Sequence, residues 1–185
     1  SAIVKHKEGL QAFGILAPYR TDIPRRGRGQ PEVIYKLNEQ QAYFLMTLLK
    51  NTPIVVEFKR KLVQCFFIMR QELTRRQIFR DAGKPIRRTL TDAIRDSGED
   101  GRMHGHAYGT YTDLAYKAAT GKIARVLRKE RGASAKAIAT DFLTSDELSA
   151  YNKAEERLTV LLDMRLTYDQ IKTLLLVQRG KRMAG

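Results

Sequence analysis

The chain has 185 residues, of which 43% are apolar, a length and composition suited to one or two small domains with real cores rather than to a disordered segment. Thirty-four Lys and Arg against twenty Asp and Glu give a net charge of +14, a field that attracts phosphate backbones by counterion release. No apolar run approaches the twenty or so residues that cross a bilayer, residues 1–10 lack the apolar core of a signal peptide, and the single Cys65 cannot form an internal disulfide. The chain therefore reads as soluble and intracellular, with no membrane partner.

The positive surplus is uneven. Residues 1–80 hold fifteen basic and six acidic side chains, whereas residues 81–185 hold nineteen and fourteen. The N-terminal part predicts two strands, Phe13–Tyr19 and Val33–Leu37, joined by Arg20–Pro31. That connector contains Pro24-Arg25-Arg26-Gly27-Arg28-Gly29, whose prolines and glycines oppose regular structure. Arg25, Arg26 and Arg28 suit a hairpin tip that lies along phosphates as a wing does; the alternative is a solvated loop. Lys36, Lys59 and Arg60 join them as expected DNA contacts.

Two helices follow. Asn38 is a good N-cap, with Gln41 three residues on where a capping-box partner belongs. The first helix stops at Asn51-Thr52-Pro53, and Thr52 then caps a second helix that has Pro53 in its first turn. At about 100° per residue, Val55, Phe58, Leu62, Phe66, Met69 and Leu73 share one face and read as a core stripe. Val56, Val63 and Phe67 form a second apolar line. A helix with two apolar faces has to be covered twice. Either the strands and first helix cover both, or the second line is the interface of a homodimer, as in regulators that set half-site spacing by dimerisation.

The wording of this stretch resembles the Rha family of phage regulatory proteins. The matching pieces are Tyr35-Lys36-Leu37-Asn38-Glu39-Gln40-Gln41-Ala42, Leu45-Met46-Thr47-Leu48-Leu49-Lys50-Asn51-Thr52, and Val55-Val56-Glu57-Phe58-Lys59 leading to Phe66-Phe67-Ile68-Met69-Arg70. Lys5-His6-Lys7 and Phe13-Gly14-Ile15-Leu16-Ala17 look like parts of the same module, so the likeness covers residues 5–77. Family members carry a longer segment between those last two pieces, so the resemblance implies that the first element of the module is shortened or absent here. The resemblance implies a DNA-binding transcriptional regulator of phage or prophage origin, acting in the cytoplasm of a bacterial host cell. Its partners would be double-stranded DNA and, if it works as an antirepressor, another phage regulator.

Thr74–Gly83 reads as a linker or helical connector, which places a domain boundary near residue 80 and divides the chain into 1–80 and 81–185. Pro85 opens a helix carrying Ile86, Leu90 and Ile94, and Gly98 stops it. Ser97–Gly109 is a polar loop with Met103-His104-Gly105-His106. Two histidines without a cysteine, and with His6 far away in sequence, do not make a zinc site. Beyond it the chain predicts helices at Tyr111–Ala119, Lys122–Glu130, Ala135–Phe142, Ser145–Asp163 and Tyr168–Gln178. Thr110 with Asp113, Thr144 with Glu147 and Thr167 with Gln170 are their capping boxes, and Leu148, Tyr151, Ala154, Leu158 and Leu161 have core spacing. The pair joined through Thr120-Gly121 has the outline of a helix-turn-helix, with Lys122, Arg125, Arg128 and Lys129 suited to phosphate or guanine; a tight two-helix turn in any bundle is the alternative. His104–Arg131 also resembles a C-terminal module of phage regulatory proteins.

The fold class expected is α+β, mostly α: a small strand hairpin plus two helices in the N-terminal module, then a helical C-terminal domain. Catalytic chemistry finds no foothold. There is no G-x-x-x-x-G-K-[ST] loop and no G-x-S-x-G. Asp92 and Asp96 sit among Arg87, Arg88 and Arg95, which favours charge pairing over a metal site. Cys65, between two apolar faces, reads as a buried structural thiol. The expectation is a non-enzymatic protein with no cofactor.

Overall fold

The computed structural model describes residues 2–20 and 33–183, with side chains excepted at 19–20 and 178–183. The chain is mostly α. In order it forms α1 (Ala2–Lys5), α2 (Lys7–Gln11), β1 (Pro18–Arg20), β2 (Val33–Tyr35), α3 (Glu39–Leu48) and α4 (Pro53–Asp96). Then come α5 (Glu99–Arg102), α6 (Ala107–Thr120), α7 (Ala124–Glu130), a 3₁₀ turn (Ala139–Phe142), α8 (Ser145–Asp163) and α9 (Tyr168–Met183). Compactness divides it into two units, residues 1–68 and 69–185, ahead of the boundary expected near residue 80.

In the first unit a capping box holds the local structure together. Asn38 Oδ1 accepts from the Gln41 amide at 2.8 Å, and Gln41 Oε1 accepts from the Asn38 amide at 3.0 Å. The remaining donors of both side chains reach back along the sequence. Asn38 Nδ2 donates to the Phe13 carbonyl at 2.8 Å, and the fully buried Gln41 Nε2 donates to the carbonyls of Leu10 and Gly14 at 3.1 and 3.0 Å. These bonds explain a difference from expectation. Phe13–Tyr19 is a strand only over Pro18–Arg20, because the preceding carbonyls are taken by side chains of α3 and Gly14 turns the chain at φ 127°. Residues 2–11, for which the sequence predicted no element, are helical. β1 and β2 pair antiparallel, with Tyr19 opposite Ile34, and β2 ends at Tyr35, short of Leu37.

The long helix α4 starts as expected, with Pro53 in its first turn and the Val55 amide donating to Thr52 Oγ1 at 3.4 Å. It then runs unbroken for 44 residues, about 66 Å at the usual rise. Pro85 does not open a helix but sits inside this one, and Thr74–Gly83 is part of it. An interior proline costs roughly 3 kcal/mol, and side chains within the second unit offset it. Glu72 accepts from Ser145 N and Oγ, each at 2.7 Å; Arg75 meets Asp146 at 2.8 Å; Arg76 donates to the Asp141 carbonyl; Arg80 pairs with the Asp141 carboxylate; and Arg87 meets Glu155 at 2.8 Å. Gly83 permits the close approach of α4 and α8, since a Cβ there would lie 2.7 Å from Asn152 Oδ1.

The second unit packs α6 against α8 and α9, with Leu90 and Ile94 of α4 in the same core. The Thr144–Glu147 box opens α8 at the expected residue. Gln170 Oε1 accepts from the Thr167 amide at 2.9 Å. Gly98, at φ 74°, follows the end of α4. Five expectations are corrected. Thr110 is not a cap: α6 begins one turn earlier, Thr110 Oγ1 donates back to the His106 carbonyl, and Asp113 instead accepts from the Ala124 amide at 3.1 Å. Lys122 therefore precedes α7 rather than opening it. Ala135–Phe142 is helical only as the 3₁₀ turn, and α9 continues past Gln178 to Met183. Leu161 is only half-buried, and Leu162 takes the core position beside it.

Two predictions follow from these local bonds. Asn38→Ala removes a cap and the hold on Phe13 together and should cost about 2 kcal/mol in urea denaturation. A loss under about 0.5 kcal/mol would mean that the box does not organise the first unit. Hydrogen bonds from Ser145, side chain first and backbone second, hold the Glu72 carboxyl below its ordinary value of 4.5. A lowered carboxyl contributes stability in full above its unfolded value and loses it as pH falls through the folded one. Glu72→Gln should therefore flatten the decline of melting temperature below pH 4.5; an unchanged acid limb counts against the bond.

Candidate nucleic-acid interface

Which cations are available for phosphate depends on which the fold has already engaged. Arg25, Arg26 and Arg28 lie outside the described residues. Lys36 is exposed just past β2. Lys59 is engaged: its ammonium donates to the Leu49 carbonyl at 3.3 Å and to Asn51 Oδ1 at 2.9 Å, closing the C-terminal end of α3. Arg60 donates twice to Glu57 Oε2, at 3.0 and 2.6 Å, on the exposed side of α4. Two of the expected contacts are thus committed to local acceptors.

The first unit presents other cations. Lys5, His6 and Lys7, where α1 bends into α2, line an open concavity of about 640 Å³ floored by Phe44 and Leu48. Lys5 and Lys7 are exposed. The sequence had marked Lys5-His6-Lys7 only as a piece of a resemblance. A Lys-x-Lys pair carries no spacing that identifies a site until the bend brings it against α3.

In the second unit α6 and α7 meet at a turn with Gly121 at φ 85°. Ala124 and Leu127 bury one side of α7, which leaves Arg125 and Lys129 exposed one turn apart on the other. Lys122 pairs with Glu130. Arg128 is half-buried, and its Nε has no hydrogen-bond partner. Of the four cations expected on this segment, Arg125 and Lys129 are the pair whose charge faces outward.

The apolar faces of α4 depart most from expectation. Val55 is buried and Phe58 half-buried, with the Tyr43 and Phe58 rings 5.5 Å apart. Further along the supposed core stripe, Leu62, Phe66, Met69 and Leu73 are 36–64% exposed. Val56, Val63 and Phe67 are about half exposed as well, and Cys65, expected to be buried, is exposed. The ten residues of α3 reach only the first turns of α4, so the stripe outruns its cover. Exposed apolar surface of this extent marks a contact surface more often than chance.

No protein-family model matches the chain, and no curated protein is significantly similar to it. Among the described residues no three His, Cys, Asp or Glu side chains cluster to hold a metal ion. No described helix is long and apolar enough to cross a membrane.

Since Phe67 is half exposed, Phe67→Glu should leave the unfolding free energy of the monomeric chain within about 0.5 kcal/mol of the original. A loss above about 2 kcal/mol in dilute denaturation experiments would put the ring in an intramolecular core instead.

Proposed function

We propose that the protein is a phage or prophage transcriptional regulator that binds double-stranded DNA, as a homodimer, in the cytoplasm of a bacterial host cell. Residues 1–68 act as the DNA-binding module, contacting phosphates through Arg25, Arg26 and Arg28 together with Lys5 and Lys7. The observation that carries the reading is the location of outward-facing charge. The +14 surplus is spread over both units; Arg75, Arg76, Arg80 and Arg87 are bound within the second unit, whereas Lys5 and Lys7 in the first and Arg125 and Lys129 in the second are exposed. The likeness of residues 5–77 to the Rha family supports the same assignment. No catalytic step is part of it. The homodimer seam is assigned to Val56, Val63 and Phe67.

A second reading has its own support. The exposed run from Leu62 to Leu73 suits an antirepressor that acts by binding another phage regulator. Ionic strength separates the two, because phosphate contacts release counterions and an apolar protein contact does not. Affinity for a random duplex should fall steeply with salt, and replacing Arg25, Arg26 and Arg28 by Ala should reduce the slope of log affinity against log salt by about two to three. A chain that binds no duplex at low salt favours the antirepressor, while binding with an unchanged slope in the variant removes the arginines from the interface.

A further inference from the structure

The second unit contains a cavity of about 450 Å³, between α4, α6, the 3₁₀ turn and α8, that DNA binding leaves without a role. Small-molecule sites run from roughly 300 to 1,000 Å³, mostly apolar with a few convergent polar groups. This cavity meets that description. Tyr116 and Tyr151 form one wall, their ring centroids 4.5 Å apart. Burial pushes the Tyr116 hydroxyl up to about 12, so that wall is uncharged at neutral pH. Beside it Glu155, only 1% exposed, accepts from Tyr151 Oη and Arg87 Nη1, both at 2.8 Å.

Three cations share the lining. Arg80, Lys84 and Arg87 all line the cavity. Arg80 pairs with Asp141, Lys84 with Asp81 at 2.8 Å, and Arg87 with Glu155 and, through Nη2, with Thr112 Oγ1 at 2.7 Å. A guanidinium has five N–H donors and an ammonium three, so donors outnumber the acceptors they meet here. A ligand that completes the site brings oxygen acceptors to the cations and a flat apolar body to the tyrosines.

We propose that this cavity is a binding site for a small aromatic anion, its ring against Tyr116 and Tyr151 and its carboxylate or phosphate facing Lys84 and Arg80. A positively charged ligand offers the spare N–H donors no acceptor, and the apolar wall gives an inorganic anion nothing to hold. The site is independent of the DNA-binding assignment, since none of its residues belongs to the proposed nucleic-acid contacts.

The test titrates the full chain by calorimetry with AMP, 4-hydroxybenzoate, adenosine and inorganic phosphate, and follows amide resonances of residues around the cavity. AMP or 4-hydroxybenzoate should bind with a Kd under about 1 mM, and whichever binds identifies a phosphate or a carboxylate as the anionic group. Adenosine and inorganic phosphate should each bind at least about tenfold more weakly. Lys84→Glu reverses the charge at an exposed position, and Ile138→Trp fills the cavity from an exposed loop position; both should keep the helical circular dichroism and weaken binding by about tenfold or more. The proposal is overturned if neither aromatic anion binds at 5 mM (about five times that Kd), or if both variants bind as the original does. Adenosine binding as well as AMP removes the anionic requirement, and phosphate binding as well as AMP removes the aromatic one; either result also overturns it.

Discussion

A carboxylate as enclosed as that of Glu155 has to be met by a cation and by hydrogen-bond donors, because the desolvation of an ion costs several kcal/mol. Arg87 and Tyr151 supply both. Burial still raises the Glu155 carboxyl above its usual range, against the opposing pull of Tyr151 and Arg87. Tyr151 lies on the same helix as Glu155, so it adds nothing to the placement of α4. Arg87 does: the charge is tolerated only while α4 lies against α8, and the remaining contacts follow from that placement. Gly83 then abuts Asn152, whose Nδ2 donates to the Phe79 carbonyl at 2.8 Å, and Leu90 and Ile94 enter the core beside α6.

This arrangement changes what the composition means. A surplus of fourteen positive charges looks like one resource for binding phosphate, but the fold divides it. Arg75, Arg76 and Arg80 of α4 stitch that helix to the 3₁₀ turn and the start of α8, and the Lys59 ammonium closes the end of α3. Pairs such as Arg75–Asp146, with both side chains mostly exposed, contribute little each. Their value is geometric, since together they fix the rotation of a long helix about its own axis.

Part of α4 keeps its apolar surface exposed. The apolar side chains between Leu62 and Leu73 are exposed. Phe66 and Phe67 meet edge to face at 5.5 Å, which shields some of each ring but covers neither.

The sequence by itself determined the features that are closed within one turn of chain. Asn38 with Gln41, Thr144 with Glu147, Thr52 before Pro53 and Gly98 after α4 were legible because a cap bonds to a residue two or three positions away and needs no tertiary partner. The core spacing of α8 was legible for the same reason, apart from the exchange of Leu161 for Leu162. Pro85 inside α4, the exposed stripe beyond Phe58 and the engaged or outward-facing state of each cation were decided only by tertiary structure. The bonds that settle them join residues far apart in sequence, such as Arg87 with Glu155 and Glu72 with Ser145. Periodicity shows that a face is apolar, but what covers it depends on how far a neighbouring helix reaches, and the ten residues of α3 end too soon.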